Sequence, residues 1–266
     1  MRNALLIAAS LLALGTAPAF CQTQASSAAT PPASERPPPV IDPRADQILR
    51  QMSDYLAKAP HFTVEADIAM DDVLPSGQKL QFPATTRIAL SRPDGLYVDQ
   101  TGPLGSRTFW YDGKQVTLWD PQTGFYAEAP APATVGAMLA GLFAQLGFVP
   151  PLSDLVVDDP YAAVQGKVDI GLYVGRSEID GVPVQHLAFV QETVDWQIWV
   201  EDSATWVPRK IVINYKLRNG EPQYSATLKN WDFSTPISSA LFQPELPPDA
   251  TRIEFEQTSA QAKQGG

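Results

Sequence analysis

The sequence predicts an α+β protein, built as an antiparallel meander of about ten or eleven strands that helices interrupt. One observation is an apolar period of three to four residues just after a proline-rich stretch, which indicates an amphipathic helix. Another is a switch to a period of two over most of the remaining chain, which indicates strands with one buried face. The last is a single helical interruption near the middle, bounded by prolines.

The first 21 residues are typical of a secretory signal peptide, because a positive start precedes an apolar run at residues 4–14. That run is too short to span a membrane as a stable helix. Two cleavage frames compete, one after Ala19 and one before Gln22, and we favour the second. Acylation of Cys21 is disfavoured because the bulky Phe20 precedes it. We therefore expect a periplasmic protein without a lipid anchor.

Residues 22–43 form a linker rich in Pro, Ala and Ser, a composition that is extended and cannot build a core. It serves either as a tether or docking segment for a proline-binding partner or as a solvated spacer, and we favour the spacer. No second linker follows, so residues 44–256 are expected to form one domain. Residues 257–266 are a polar, flexible tail.

The first helix begins at Asp42, which can cap it, and at Pro43, which suits the first helical position. Pro60 ends it. Its apolar stripe consists of Ala45, Ile48, Leu49, Met52 and Leu56.

Alternating apolar and polar residues predict eleven strands after this helix. The Asn219-Gly220 pair is a strong signal for the last hairpin. The strands are expected at 61–72, 80–90, 96–100, 107–111, 115–120, 124–127, 168–177, 182–192, 194–201, 207–217 and 222–233.

A second amphipathic helix interrupts the strands between Pro132 and Pro150. A short helical turn is also expected near residues 159–164. The apolar face of the second helix carries Val135, Met138, Leu139, Leu142, Phe143 and Leu146.

Composition excludes several classes of chemistry. A net charge of −10, from 19 Lys+Arg against 29 Asp+Glu, disfavours nucleic-acid binding. A single cysteine excludes an intrachain disulfide and multi-cysteine metal sites. The sequence contains no G-x-S-x-G elbow, phosphate-binding glycine loop or H-E-x-x-H motif. We expect no cofactor, no metal and no enzymatic activity.

The remaining polar candidates are few. A hydrolase would need His61 or His186, and each is more simply explained as a structural or exposed histidine. Three carboxylates of the first strand, Glu65, Asp67 and Asp71, share one face, where a hard-cation site competes with the favoured interpretation of a solvated face. The tryptophans either line an apolar cavity or fill the sheet core, and both interpretations remain open. They are Trp110, Trp119, Trp196, Trp199, Trp206 and Trp231.

Four short motifs together resemble the LolA/LolB-type lipoprotein carriers. They are HFTVE at 61–65, LSRP at 90–93, YDGKQVTLWDP at 111–121 and LFQP at 241–244. The sequence is closer still to uncharacterised exported bacterial proteins of that fold. The resemblance implies a strongly curved antiparallel sheet, an unclosed β-barrel, whose concave apolar face is covered by helices.

The resemblance also implies a function and a site. We expect a periplasmic, monomeric, non-enzymatic binding or carrier protein for a hydrophobic ligand such as a lipid or acyl chain. By resemblance, the second amphipathic helix, with Val135 to Leu146, is a lid over the cavity, and Arg92 holds it closed; the alternative for Arg92 is a strand-end arginine paired with a local carboxylate. The other class of function is a structural or regulatory protein whose interior is only its core and which binds another protein, such as a membrane-associated one. The expected cavity and lid residues are Arg92, Phe82, Trp110, Met138, Leu142, Phe143 and Trp196.

Overall fold

The computed structural model describes residues 38–146 and 150–255. The expected signal peptide, most of the linker and the tail lie outside these residues. Within them, the strands are β1 (Val40–Ile41), β2 (His61–Val73), β3 (Lys79–Ser91), β4 (Gly95–Thr101), β5 (Arg107–Tyr111), β6 (Gln115–Asp120), β7 (Phe125–Pro130), β8 (Val168–Ile179), β9 (Val182–Gln191), β10 (Val194–Glu201), β11 (Pro208–Tyr215), β12 (Gln223–Asp232) and β13 (Thr251–Ile253).

All these strands belong to one unclosed sheet, in the order β1-β8-β9-β10-β11-β12-β2-β3-β4-β5-β6-β7-β13. The pairing is antiparallel from β8 to β7, which confirms the predicted meander. The eleven predicted strands correspond to β2–β12. The two outermost strands were not predicted: β1 and β13 pair in parallel with β8 and β7. With two and three residues, they are too short to show a period, and β1 lies within the expected linker.

In the part of the chain that the structure describes, three α-helices accompany the sheet: α1 (Pro43–Lys58), α2 (Val135–Leu146) and α3 (Pro160–Gln165). The Asp42 side chain accepts a hydrogen bond from the backbone N–H of Arg44 at 2.7 Å, and Pro43 starts the helix, both as predicted. Asp159 caps α3 in the same way, through the N–H of Ala162. Two short 3-10 helices were not predicted, at Ser153–Leu155 and Ser239–Phe242.

One hydrophobic core joins α1, α2 and the inner face of the sheet. Residues from strands at both ends of the order, such as Tyr111 of β5 and Leu187 of β9, belong to the same buried cluster as Leu56 of α1. A flat sheet of this width could not bring them together, so the sheet is curved around α1. We call the face that carries this cluster the inner face.

The opposite, outer face of β4 is covered by the 3-10 helix near the C-terminus. The ring of Phe242 is buried and lies so close to Gly95 that a Cβ there would be 2.8 Å from the ring. Glycine therefore allows the close approach of the LFQP motif to the sheet.

Candidate functional site

An apolar cavity of about 120 Å³ lies on the inner face, between the sheet and two covering segments. Its floor comes from β10 and β11, and its cover comes from α1 and from residues 152–164. The lining residues are Leu49, Met52, Leu152, Asp154, Leu155, Pro160, Val164, Lys167, Gln191, Val194, Trp196, Ile198, Ile211 and Ile213. Pockets for drug-sized ligands begin at about 300 Å³, so this cavity is small in the conformation described.

We call residues 150–166 the cap segment. It contains the 3-10 helix Ser153–Leu155 and α3, and it contributes five of the lining residues. Its buried side chains include Leu152, Leu155 and Val156. The cap segment is therefore a short structured cover that packs apolar side chains into the core, and two polar fastening points supplement that packing.

The first fastening point is Arg92 at the end of β3. Its guanidinium donates to the backbone carbonyls of Val156 at 3.3 Å and Val157 at 3.0 Å, and to Asp158 Oδ1 at 3.1 Å. The Arg92 side chain is only 14% exposed, whereas that of Asp158 is 64% exposed. Burial lowers the pKa of Arg92 below its usual value, and the charge of Asp158 opposes that effect. Arg92 thus contacts both the backbone of the cap segment and a local carboxylate, and its expected role in holding a lid closed stays a prediction.

The second fastening point joins α3 to α1. The Tyr161 hydroxyl donates to Asp46 Oδ1 at 2.5 Å, and the Arg50 guanidinium lies over the Tyr161 ring at 3.9 Å from its centroid. Burial and the bond to Asp46 raise the pKa of Tyr161 to about 12. Burial alone would raise the pKa of Asp46, but hydrogen bonds from Tyr161 and Arg50 outweigh it and lower that pKa.

In contrast, α1 is attached to the sheet itself. The Arg44 guanidinium lies over the Tyr173 ring of β8 at 3.8 Å, and it donates to Gln185 of β9 at 3.1 Å. These contacts and the buried apolar face of α1 hold the helix on the sheet, where it forms one wall of the cavity. The cap segment contacts this wall through Tyr161.

The cavity lining also includes four polar residues beside the aliphatic ones. They are Asp154, Lys167, Gln191 and Trp196. Burial raises the pKa of the Asp154 carboxyl, and the positive charge of Lys167 acts in the opposite direction. The indole of Trp196 stacks on Phe189 at 4.2 Å, and its Nε1–H is buried with no acceptor among the described residues. The cavity thus combines apolar walls with a few hydrogen-bonding groups, as ligand sites commonly do.

The sequence matches a known protein family over most of its length. The sequence profile of the family described as "Predicted periplasmic protein (DUF2092)" matches residues 45–256. The chain belongs to the DUF2092 family. The prediction of an exported bacterial family is thereby confirmed, and the description of the family as periplasmic agrees with the expected compartment.

The solved structures that resemble the DUF2092 domain include the following three. An uncharacterized conserved protein from Thermus thermophilus is 13% identical, with a TM-score of 0.46, and the match covers 80% of this chain and 99% of that chain. LprF from Mycobacterium bovis is 14% identical, with a TM-score of 0.44 and coverage of 80% and 100%. A LolA superfamily protein from Nitrosomonas europaea is 11% identical, with a TM-score of 0.35 and coverage of 75% and 97%. No curated protein matches the sequence.

The DUF2092 domain does not gather the seven expected site residues in one place. Trp196 lines the cavity, and Arg92 reaches the cap segment beside it. Phe82 is half-buried on β3, opposite Met70 of β2. Trp110 lies on the outer face against Tyr97, because its neighbour Tyr111 takes the inward position on β5.

The expected lid helix α2 also lies away from the cavity, since none of its described side chains lines it. Met138 is buried in the common core, and Leu142 and Phe143 are half-buried against that core. The covering role falls to the cap segment instead. Sequence periodicity carries a signal only for the floor and the α1 wall of the cavity. Ile211 and Ile213 alternate on one strand, and Leu49 and Met52 lie on the α1 stripe.

Among the other polar candidates of the DUF2092 domain, His186 and Asp67 have structural partners, whereas the Nε2 atom of His61 is buried with no hydrogen-bond partner among the described residues. The His186 ring stacks on Trp199 at 4.1 Å, and its Nε2 lies 2.9 Å from Gln197 Oε1. Asp67 pairs with Lys229 of β12. In residues 38–146 and 150–255, no group of three or more His, Cys, Asp or Glu side chains is placed to hold a metal ion. No helix within those same residues is long and apolar enough to cross a bilayer.

Proposed function

We propose that this protein is a non-enzymatic periplasmic binding or carrier protein for a hydrophobic ligand such as a lipid or acyl chain. The observation that carries the proposal is the apolar cavity between the inner face and a cap segment that polar contacts fasten. Burial of apolar ligand surface in such a cavity contributes roughly 25 cal/mol per Å². Covering segments that open at moderate cost are what a binding and release cycle requires.

The volume of the cavity supports a cycle of opening. At about 120 Å³ the cavity accommodates only part of a long acyl chain. Entry of a complete ligand therefore requires the cap segment to move away from β10 and β11. That movement would break the contacts of Arg92 and Tyr161 and expose the buried apolar side chains of the cap segment, while α1 keeps its contacts with the sheet through Arg44.

The test is direct extraction and titration. Full-length mature protein, purified from the periplasm, is extracted with organic solvent, and the extract is analysed by mass spectrometry. The delipidated protein is then titrated with the apolar fluorescent probe N-phenyl-1-naphthylamine. A ligand at 100 times its Kd stabilises the folded state by about 2.7 kcal/mol, which a thermal melt detects. Absence of extractable lipid, probe binding and stabilisation together would overturn the proposal.

A matched pair of variants locates the site. Ile213→Trp fills the cavity from β11, and we expect it to weaken probe binding at least tenfold. Leu142→Trp adds the same side chain at a half-buried position of α2 outside the cavity lining, and we expect probe affinity within about twofold of wild type. If Leu142→Trp is the variant that loses the probe, the site lies under α2 and not under the cap segment.

One observation favours a second candidate function, the binding of another protein. Ile170, Leu172 and Val174 form an apolar stripe on β8, the second strand from one edge of the sheet, and they are 41%, 52% and 54% exposed. Contiguous exposed apolar residues often mark protein interaction sites. If this candidate is correct, crosslinking captures a partner protein from the membrane fraction. Leu172→Asp should abolish that crosslink, and Ile213→Trp should leave it intact. The carrier proposal predicts the reverse dependence for probe binding.

A further inference from the structure

The two ends of the sheet differ in the exposure of their apolar side chains. Because neighbouring strands are antiparallel, every second connection lies at the same end. At the end that we call the apolar end, the connections are residues 74–78, 102–106, 121–124, 192–193 and 216–222. The exposed large apolar residues at or near this end are Val40, Met70, Leu104, Phe125, Ile170 and Leu217. In the described part of the chain, no exposed large apolar residue lies in the opposite connections, which are residues 92–94, 112–114, 180–181 and 202–207.

This asymmetry indicates a surface that is covered in use. Single exposed apolar residues are common on proteins, but their concentration at one end of a molecule marks an interaction surface. We propose that the apolar end docks on a lipid bilayer, with Leu217 and Leu104 entering the interfacial region. Leu217 is 74% exposed and Leu104 is 51% exposed, and each lies in a connection between strands. This inference goes beyond the proposed function and does not depend on it, because it concerns the surface of the protein and not the cavity.

Strand register places the two leucines at a similar height. The connection that carries Leu217 leads into β12, whose second residue, Tyr224, pairs with Met70 of β2. The connection that carries Leu104 packs on Ala84 of β3, two residues from the partner of Met70. Both connections therefore leave the sheet near the same level, as simultaneous contact with a planar surface requires.

The charges at the apolar end favour docking by apolar side chains over attraction to anionic lipid. Lys216 pairs with Asp195 at 2.9 Å, and Arg107 pairs with Asp120 at 3.7 Å. Acids thus balance these basic side chains locally, and the sequence as a whole has a net charge of −10. Electrostatic recognition of anionic lipid relies on clustered Lys and Arg. Burial of apolar surface is therefore the main driving force that this end offers.

The spacing of the apolar residues favours a bilayer over a protein partner. A protein interface has a contiguous and closely packed apolar centre. Leu217 and Leu104, in contrast, belong to separate connections, with the β2–β3 hairpin between them in the strand order. A fluid interface accepts such side chains one at a time, while the stems of neighbouring Lys and Arg side chains extend toward the head groups.

The cavity also has lining residues at the apolar end. Gln191 is the last residue of β9, Val194 is the first residue of β10, and Lys167 directly precedes β8. In the docked protein, this part of the cavity would therefore lie on the side of the bilayer.

The experiment measures co-sedimentation of full-length mature protein with sucrose-loaded vesicles. Vesicles of palmitoyl-oleoyl phosphatidylcholine are compared with vesicles that also contain phosphatidylglycerol, at low and at high salt. We expect binding to the phosphatidylcholine vesicles, with a partition coefficient that changes by no more than about twofold with anionic lipid or with salt. Absence of binding, or binding that requires phosphatidylglycerol and is lost at high salt, would overturn the inference.

Two variants of matched exposure locate the contact. Leu104→Asp and Val174→Asp each introduce one acid at a position that is 51% or 54% exposed, but Val174 lies in the middle of β8. We expect Leu104→Asp to lower the partition coefficient at least about tenfold and Val174→Asp to leave it within about twofold of wild type. Leu217→Asp should have an effect at least as large as that of Leu104→Asp. An equal loss in Val174→Asp would assign the contact to the apolar stripe of β8 and overturn the inference.

A third variant separates docking from ligand binding. Ile213→Trp fills the cavity, and we expect it to leave vesicle binding within about twofold of wild type. If Ile213→Trp abolishes vesicle binding, the wild-type protein associates with lipid through its cavity, and the docking inference fails while the carrier proposal stands. If vesicles bind as expected but no probe binds and no lipid is extracted, the carrier proposal fails alone.

Sedimentation velocity of the lipid-free protein tests the other occupant of this surface, a second copy of the chain. We expect the same monomeric species for wild type and Leu217→Asp. A dimer that Leu217→Asp converts to a monomer would assign the apolar end to self-association and overturn the inference.

Discussion

Replacement of Arg92 by Met is expected to open the cap segment without unfolding the sheet. Met keeps an unbranched apolar stem but removes both hydrogen bonds to the carbonyls of Val156 and Val157. Each bond from a charged donor is worth about 1.5–3 kcal/mol where water cannot replace it, and the side chain is largely buried. Two costs offset part of this stabilisation. The guanidinium is desolvated by burial, and its Nε–H is buried without an acceptor among the described residues.

The net expectation is a loss of about 2–4 kcal/mol from closure of the cap segment, which is roughly a 30-fold to 1,000-fold larger opening constant. Hydrogen exchange followed by mass spectrometry measures it directly. Peptides covering residues 150–166 should exchange at least 30-fold faster in Arg92→Met, while peptides from β2 and β12 keep the wild-type rate. Uniform acceleration across the sheet would show that Arg92 supports the whole fold and not the cap.

The neighbouring carboxylate provides the control. Asp158 forms an ion pair with the same guanidinium, but it is mostly exposed. Exposed pairs are worth at most about 1 kcal/mol, so Asp158→Ala should accelerate exchange of residues 150–166 by no more than about fivefold. An effect as large as that of Arg92→Met would refute the reasoning, because the ion pair and not the buried carbonyl contacts would then hold the cap.

Three further predictions concern other contacts. Tyr161→Phe should lower the free energy of unfolding by about 1 kcal/mol at pH 7. Because the pKa of Asp46 is lowered in the folded state, the difference in stability between wild type and variant should shrink as the pH falls below about 4, which urea unfolding from pH 7 to pH 2.5 tests. Gly95→Ala should destabilise by about 1–3 kcal/mol through contact with the Phe242 ring, and Phe242→Leu should restore part of the loss in a double-mutant cycle, whereas additive effects would exclude the contact. Asp159→Ala should cost about 0.5–2 kcal/mol in cap closure through loss of the α3 N-cap, seen as faster exchange at residue 162 with β-strand rates unchanged.

The strands and the long helices were predictable from sequence because their signals are local. A half-buried strand must alternate, and β2 does so from Phe62 to Ile68; Asp42 and Pro43 mark the start of α1 by their cap chemistry. The parallel pairing of β1 and β13 was not predictable, because it depends on which distant backbone edges the curved sheet leaves open. Alternation along β10 also predicts that Trp196 and Trp199 lie on opposite faces, and their different stacking partners, Phe189 and His186, agree with it.

The location of the cavity required the three-dimensional structure, and the reason also bears on function. An amphipathic stripe such as that of α2 predicts burial, and Met138 is indeed part of the permanent core. A short helical turn was expected near residues 159–164, and α3 lies there, but the position of the cap segment depends on distant contacts with Arg92 of β3 and Asp46 of α1 that no local signal reveals. The cap segment also carries Leu152, Leu155 and Val156, which belong to the buried core, so its opening would expose them as well as break the polar contacts. Under the carrier proposal, an apolar ligand that covers the same side chains would offset that cost.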